Sequence, residues 1–259
     1  AFMIAEMVGI SYGQVAINAL IPAVIYYIYL YLCVDLEAKK EGILGLKKEE
    51  LPSVKQALKE RGHLLIPLVI LIYLLIGGYS PGKSIFFSTV LVIIVSAFKK
   101  NTRMNLNTII GAMRDGVYNA LPVAVACAAA GIITGVISAT GIGLRFSSIL
   151  IGISNGNVLV MLILSMVASI ILGMGLPTSA CYIILAVLTA PALIEAGVEP
   201  FAAHYFIFFF GCISTITPPV ALSAYAGAGI AGANPMKTGW TAFRLGLVGY
   251  LIPYMVVFE

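Results

Sequence analysis

The 259 residues are 61% hydrophobic and only 10% charged, with a mean hydropathy of +1.05. Soluble domains carry about 25% charged residues, so the composition excludes a soluble domain and specifies a polytopic membrane protein. The net charge of +4 is small, and its placement carries more information than its size; no nucleic-acid partner is expected. Cys33, Cys127, Cys181 and Cys212 all lie in apolar segments without CxxC spacing, which argues against structural disulfides or a thiolate metal site. No signal-peptide pattern is read in these residues, which open on Ala1-Phe2 and end on Glu259 behind an apolar run. It reads as a piece of a longer protein.

In chain order, a first span covers about Gln14 to Val34. A charged segment, Asp35 to Arg61, follows with seven Lys/Arg and six Asp/Glu. Within it Leu51, Val54 and Leu58 recur at helical spacing behind Pro52, which predicts a surface helix. Two apolar runs, within residues 63–98, are joined by the turn GGYSPGK, and the basic patch Lys99, Lys100, Arg103 comes next. Residues 105–118 place Leu106, Ile109, Ile110, Met113 and Val117 on one face with Arg114 and Asp115 opposite, an interfacial helix. A Gly/Ala-rich span at 119–139 and a short linker lead to a charge-free stretch from Arg145 to Glu195. A run at 201–230 and a last span at 243–258 complete the chain.

The charges orient these segments. With residues 35–62 as a cytoplasmic linker, alternate crossings place thirteen of the fifteen Lys/Arg on the cytoplasmic side, leaving only Lys83 and Arg145 outside. That count requires residues 158–193 to enter and leave on the same side. Their length agrees. Val158 to Gly173 and Thr178 to Leu193 are 16 residues each, about 24 Å of helix against a hydrocarbon core of about 30 Å. Two short arms around the tip Gly-Met-Gly-Leu-Pro predict a re-entrant hairpin.

A second break falls in GCISTITPPVAL, residues 211–222. Thirty residues from Phe201 to Ile230 are too many for one straight span, so a helix is expected to stop near Cys212. Thr217 before Pro218 has the form of an N-cap with proline at N1, so a new helix is expected there. Lipid cannot hydrogen-bond backbone groups freed at mid-membrane depth, and such breaks are tolerated only where they face protein or a water-filled cavity. There, carbonyls and hydroxyls can ligate a small hard cation, and the following helix N-termini favour an anion. The candidate site is Gly173, Gly175, Pro177, Thr178, Ser179, Gly211, Ser214, Thr215, Thr217 and Pro218. The backbone and hydroxyls of Gly173, Thr178, Gly211, Ser214 and Thr217 form the candidate Na⁺ set.

The chain ends resemble each other: ALIPAVIYY at 19–27 matches YLIPYMVVF at 250–258, each behind a small-residue segment. The charge assignment runs the two in opposite directions, an inverted repeat. Residues 1–34 then hold the tail of a first repeat and 63–259 the second. Inverted repeats with broken helices at the midplane are the architecture of secondary transporters. A proton relay needs a titratable group at membrane depth, and neither break offers one, so Na⁺ rather than H⁺ is the expected coupling ion. Glu6 is the one carboxylate that weakens this. His63 and His204 are placed at the interface and outer rim.

The stretch GMGLPTSACYIILAVLTAPALIEAGVEPFAAHYFIFFFGCISTITPPVALSAYAGAG resembles the large, DctM-like membrane subunit of tripartite ATP-independent periplasmic (TRAP) transporters. With FMIAE, ISYGQVAINALIPAVIYYI and LEAKK, it resembles the fused permease that works with TAXI-type binding proteins. The resemblance covers essentially the whole chain. It implies an all-α elevator transporter of the ion-transporter superfold, in a bacterial or archaeal cytoplasmic (inner) membrane. It implies a periplasmic TAXI-type solute-binding protein, a small membrane subunit fused to the permease, an organic acid or carboxylate as substrate, and no cofactor besides the coupling ion. Residues 173–180 become the hairpin tip and 211–219 the unwound helix facing it. The family's first-repeat hairpin and its matching Pro-Pro break belong before Ala1, so these residues hold half of its site.

Three other classes fare worse. An enzyme needs nucleophile, base or metal ligands at depth, and no HExxH or paired carboxylate occurs. A channel would use similar carbonyl-rich breaks, but in a ring of identical segments rather than an inverted repeat. A scaffold subunit has no use for two uncharged breaks.

Overall fold

The computed structural model describes residues 2–43, 53–99 and 101–258. Residues 44–52, including Leu51 and Pro52 of the expected surface helix, and Lys100 of the basic patch lie outside the described residues. The protein is an all-α polytopic membrane protein, with no strand among the described residues. It divides into two compact units, residues 1–20 with 36–119, and residues 21–35 with 120–259.

The first five helices are α1 (Phe2–Val8), α2 (Tyr12–Lys40), α3 (Val54–Arg61), α4 (Ile66–Ile76) and α5 (Pro81–Ser96). Ser11 starts α2 through a capping box: its hydroxyl accepts from the Gln14 amide, and the Gln14 side chain accepts from the Ser11 amide. Lys39 and Lys40 in the last turn complement the helix dipole. Among the described residues α2 alone is long and apolar enough to cross a bilayer. Ser53 caps α3 through the Gln56 amide. A 3₁₀ turn, Gly62–Leu65, leads into α4, which packs against α5.

Helix α6 (Leu106–Thr140) runs unbroken for 35 residues. The expected interfacial helix at 105–118 and span at 119–139 are thus one element. The change from amphipathic to uniformly apolar pattern marks a change of surroundings, which does not oblige the backbone ladder to stop.

The remaining helices are α7 (Ile142–Ser154), α8 (Val158–Gly173), α9 (Thr178–Leu188), α10 (Ala190–Glu195), α11 (Pro200–Ile213), α12 (Leu222–Ala231), α13 (Pro235–Leu245) and α14 (Ile252–Phe258). Helix α7 occupies the stretch expected as a linker. Left-handed Gly141 turns the chain by 76° between the end of α6 and α7. The expected arm 178–193 is kinked at Thr189, because Pro191 has no N–H to offer the Val187 carbonyl four residues back. The expected last span 243–258 is broken at Gly246, where the chain bends by 61° between α13 and residues 247–258, and a 3₁₀ turn at Leu247–Tyr250 leads toward α14.

Helix α11 is the centre of the second unit. Phe206, Ile207, Phe210 and Gly211 are buried where α8, α9 and α14 pack on it. Helix α9 also lays Ala180, Ile184 and Leu188 on Ala130 and Ile137 of α6.

A local motif occurs twice. Helix α1 ends at Gly9 (φ 75°), with Gly9 and Ile10 amides both on the Ala5 carbonyl, and Ser11 caps the next helix. Helix α12 ends at Gly232 (φ 63°), with Gly232 and Ala233 amides both on the Ala228 carbonyl, and Asn234 caps the next helix. Downstream the likeness weakens: Pro22 lies inside continuous α2, whereas Pro253 follows the 3₁₀ turn at the start of α14.

Candidate functional site

Proline chemistry builds both breaks. In a continuing helix the amides of residues 177, 218 and 219 would serve the carbonyls of Gly173, Ser214 and Thr215. All three are prolines, and proline has no N–H. The chain finds substitutes for two of the carbonyls. Leu176 N donates to Gly173 O at 3.3 Å, and Thr217 N donates to Ser214 O at 3.2 Å. The first turn of α9 is open at its N-terminus: Pro177 is its cap residue and supplies no side-chain acceptor, so the Thr178, Ser179 and Ala180 amides have no intrahelical partner.

At the tip α8 ends, the chain reverses through Gly175 (φ 78°), and α9 with α10 returns alongside α8. The positive φ there is open to glycine and strained for other residues.

The second break is longer than the sequence indicates. Helix α11 ends at Ile213, a 3₁₀ turn covers Ser214–Ile216, and residues 217–221 are non-helical before α12 begins at Leu222. Thr217 and Pro218 are therefore not the N-cap and N1 of a helix. Two consecutive prolines, joined by a cis Pro218-Pro219 bond, keep the ladder from restarting there, and the Thr217 hydroxyl turns back to donate toward Ile213 O at 2.7 Å.

The structure brings the two breaks together. A Cβ placed on Gly173 would lie 2.5 Å from Ser214 Oγ and 3.0 Å from Cys181 Sγ. Cys181 Sγ also lies 3.2 Å from where a Gly211 Cβ would be, and Val220 Cγ1 lies 3.9 Å from that of Gly175. The hydroxyls have committed protons: Ser214 donates to Gly211 O (2.8 Å) and Thr215 to Cys212 O (2.7 Å), while Thr217 also meets Tyr250 Oη. A hydroxyl whose proton serves a carbonyl keeps its lone pairs for another ligand. Ser179 instead pairs with Cys127 Sγ at 3.6 Å. Ser214 is fully buried, Thr217 nearly so, and Thr178, Ser179, Thr215 and Pro218 are half-buried.

Sequence reasoning missed four contributors. Cys181 sits three residues past Thr178 in the tip motif, and Tyr250 in the IPY segment. Ser165 and Ser169 share a four-residue stripe of α8 with Gly173. Both are fully buried, and among the described residues their hydroxyls have no partner. His204, in the first turns of α11, is 8% exposed, and its Nδ1 is 2.9 Å from Tyr182 Oη, one helical turn along α9 from Thr178.

The whole length, residues 1–259, matches the family model described as tripartite ATP-independent periplasmic transporter, DctM component. The chain belongs to this family. None of the curated proteins matches it. As a DctM component it is a membrane component of a TRAP transporter, a family of transporter parts rather than of enzymes. DctM components work with a periplasmic solute-binding protein and a small membrane subunit.

No carboxylate, lysine or arginine lies around either break, between Arg145 and Glu195 or from Pro200 to Met236. What this DctM component offers a ligand is neutral: carbonyls, hydroxyls and the amides of the α9 N-terminus. Such donors suit a hard, weakly polarising cation and, at the amides, an anionic oxygen.

Proposed function

We propose that the chain is the permease of a secondary active, binding-protein-dependent transporter that imports an organic acid by Na⁺ symport. The observation that carries this is the approach of Gly173 to Ser214, which sets two proline-made helix breaks face to face. A cation held there by neutral oxygens alone would be a buried charge without a counter-charge, which is costly. A carboxylate bound at the open N-terminus of α9 supplies that counter-charge. Each ion then favours the other, and this mutual preference couples the two fluxes.

In this reading 158–193 is a re-entrant hairpin, residues 1–34 and 63–259 belong to two inverted repeats, and 35–62 is cytoplasmic. The recurrence of the glycine-terminated helix and capped successor at Gly9–Ser11 and Gly232–Asn234 supports the repeat. The hairpin and broken helix move as an elevator against a scaffold that includes α4 and α5. The resemblance supplies the TAXI-type binding protein, the fused small subunit and the bacterial or archaeal inner membrane.

A proton-coupled form is the second reading, and one observation favours it: the buried His204–Tyr182 pair lies one helical turn along α9 from Thr178. Uptake by the intact complex in proteoliposomes, with imposed gradients and a panel of carboxylates, tests both. Uptake that requires Na⁺ and ignores a proton gradient is expected. Undiminished uptake under a proton gradient with Na⁺ removed overturns the Na⁺ reading.

A further inference from the structure

In the first unit, the ends of α3 and α5 border an open cavity of about 540 Å³ lined by Gln56, Lys59, Glu60, Arg61, Lys99, Asn101 and Thr102, most of them exposed. Three cations face one carboxylate, so the lining is net positive. The walls are tied across the chain. Lys99 Nζ donates to Lys59 O (2.6 Å) and Glu60 O (3.0 Å), closing carbonyls at the end of α3. His63 Nε2 lies 3.1 Å from Thr102 Oγ1, whose own proton reaches Ser96 O at 3.0 Å. Glu60 accepts from Gln56 Nε2 at 2.9 Å. Among the described residues Lys59 and Arg61 form no ion pair, and Lys99 is the cation that holds the frame.

The cavity sits where apolar surface ends. Leu65, Ile66 and Val69 of the α4 side and Ile94 and Phe98 of the α5 side are exposed, large and apolar, and Leu65 and Phe98 stand four residues and one residue along the chain from Arg61 and Lys99. Residues of this kind meet acyl chains in a bilayer, and the turn beyond them lies at headgroup depth. Basic recesses at that depth favour acidic headgroups, at about 1 kcal/mol per cation near the surface.

We propose that this cavity binds the phosphate headgroup of an anionic phospholipid, with Lys59 and Arg61 on the phosphate and the acyl chains along α4 and α5. The shared chemistry with a free phosphate is the oxyanion; the adjoining apolar surface commits the site to the lipid. The proposal rests on α4 and α5 lying in the bilayer and not on the transport reading, so uptake assayed on the same samples separates the two.

The test is native mass spectrometry of the intact, delipidated transporter titrated with palmitoyl-oleoyl phosphatidylglycerol, its phosphatidylcholine counterpart, or inorganic phosphate. Phosphatidylglycerol is expected to bind in preference to phosphatidylcholine, and millimolar phosphate is expected not to displace it. Lys59→Gln with Arg61→Gln should weaken phosphatidylglycerol binding about fivefold per charge, while Lys237→Gln in the other unit leaves it unchanged. Glu60→Gln keeps an acceptor for Gln56 and removes the negative charge, so it should tighten binding by a similar factor, a gain that misfolding cannot mimic. Equal binding of the two lipids, displacement by phosphate, an unaltered double variant that folds, or no gain in Glu60→Gln would each overturn the proposal.

Discussion

Gly173 and Ser214 touch so closely that any side chain at 173 would occupy the space of the serine: a Cβ there falls 2.5 Å from Oγ and 2.9 Å from the serine Cβ. These two residues are 41 positions apart in the chain, and each is followed four residues later by a proline. Their contact is what makes one site of two breaks.

Gly173→Ala should therefore separate the breaks. Overpacking of this kind costs about 1–3 kcal/mol, and a drop in melting temperature with roughly tenfold lower uptake is expected. Ser214→Gly in the same chain removes both clashing atoms and should restore part of each. A Gly173→Ala protein with full stability and uptake would refute the contact.

Thr217→Val deletes the hydroxyl that serves Ile213 O and meets Tyr250. The lost hydrogen bonds cost about 1 kcal/mol. If the oxygen also ligates Na⁺, the Na⁺ concentration for half-maximal uptake should rise several-fold, and Ser179→Ala should move it in the same direction. Tyr250→Phe removes the Tyr–Thr contact but keeps the threonine oxygen, so it should lower stability with a much smaller shift in Na⁺ dependence. Identical Na⁺ titrations for wild type and Thr217→Val would remove that residue from the site.

Tyr182→Phe strands His204 Nδ1 in a buried setting, which should destabilise the protein by about 1–3 kcal/mol. Under Na⁺ coupling the pH profile of uptake keeps its shape in this variant. A displaced profile would move the argument to the proton-coupled reading.

Single-cysteine labelling tests the hairpin. The glycines at 156 and 197 have φ of 75° and 92°, where cysteine is strained, so Asn157 and Glu195 are better positions. Both are exposed. Asn157→Cys forfeits a helix cap worth about 1 kcal/mol. Both thiols should react with an impermeant reagent added from the outer face. Reaction from opposite faces would exclude a re-entrant 158–193.

Local chemistry alone determined where α8 and α11 had to stop and where α9 begins. Gly-x-Gly-x-Pro at 173–177 ends α8 at Gly173 and lets α9 begin at Thr178, because a proline nitrogen removes the next ladder bond wherever the chain sits. Ser214-Thr215 ahead of Pro218-Pro219 ends α11 for the same reason. Composition fixed the membrane setting, since so few charges cannot clothe a soluble surface. Properties that depend on a partner across space were left to the tertiary structure. The sequence near Thr217-Pro218 has the pattern of a helix start, yet contacts with Ile213 and Tyr250 hold it extended and delay the next helix to Leu222. That His204 is buried against Tyr182 is not visible in the sequence around either residue. Residues 140–157 contain no strong helix signal, and packing of Gly143 and Ser147 against α9 makes α7 there. That Cys181 fills the space between Gly173 and Gly211 is visible in no window of the chain. A helix end is set by hydrogen-bond donors within four residues, whereas a site is set by which surfaces exclude lipid and water together, and that is decided only when the helices pack.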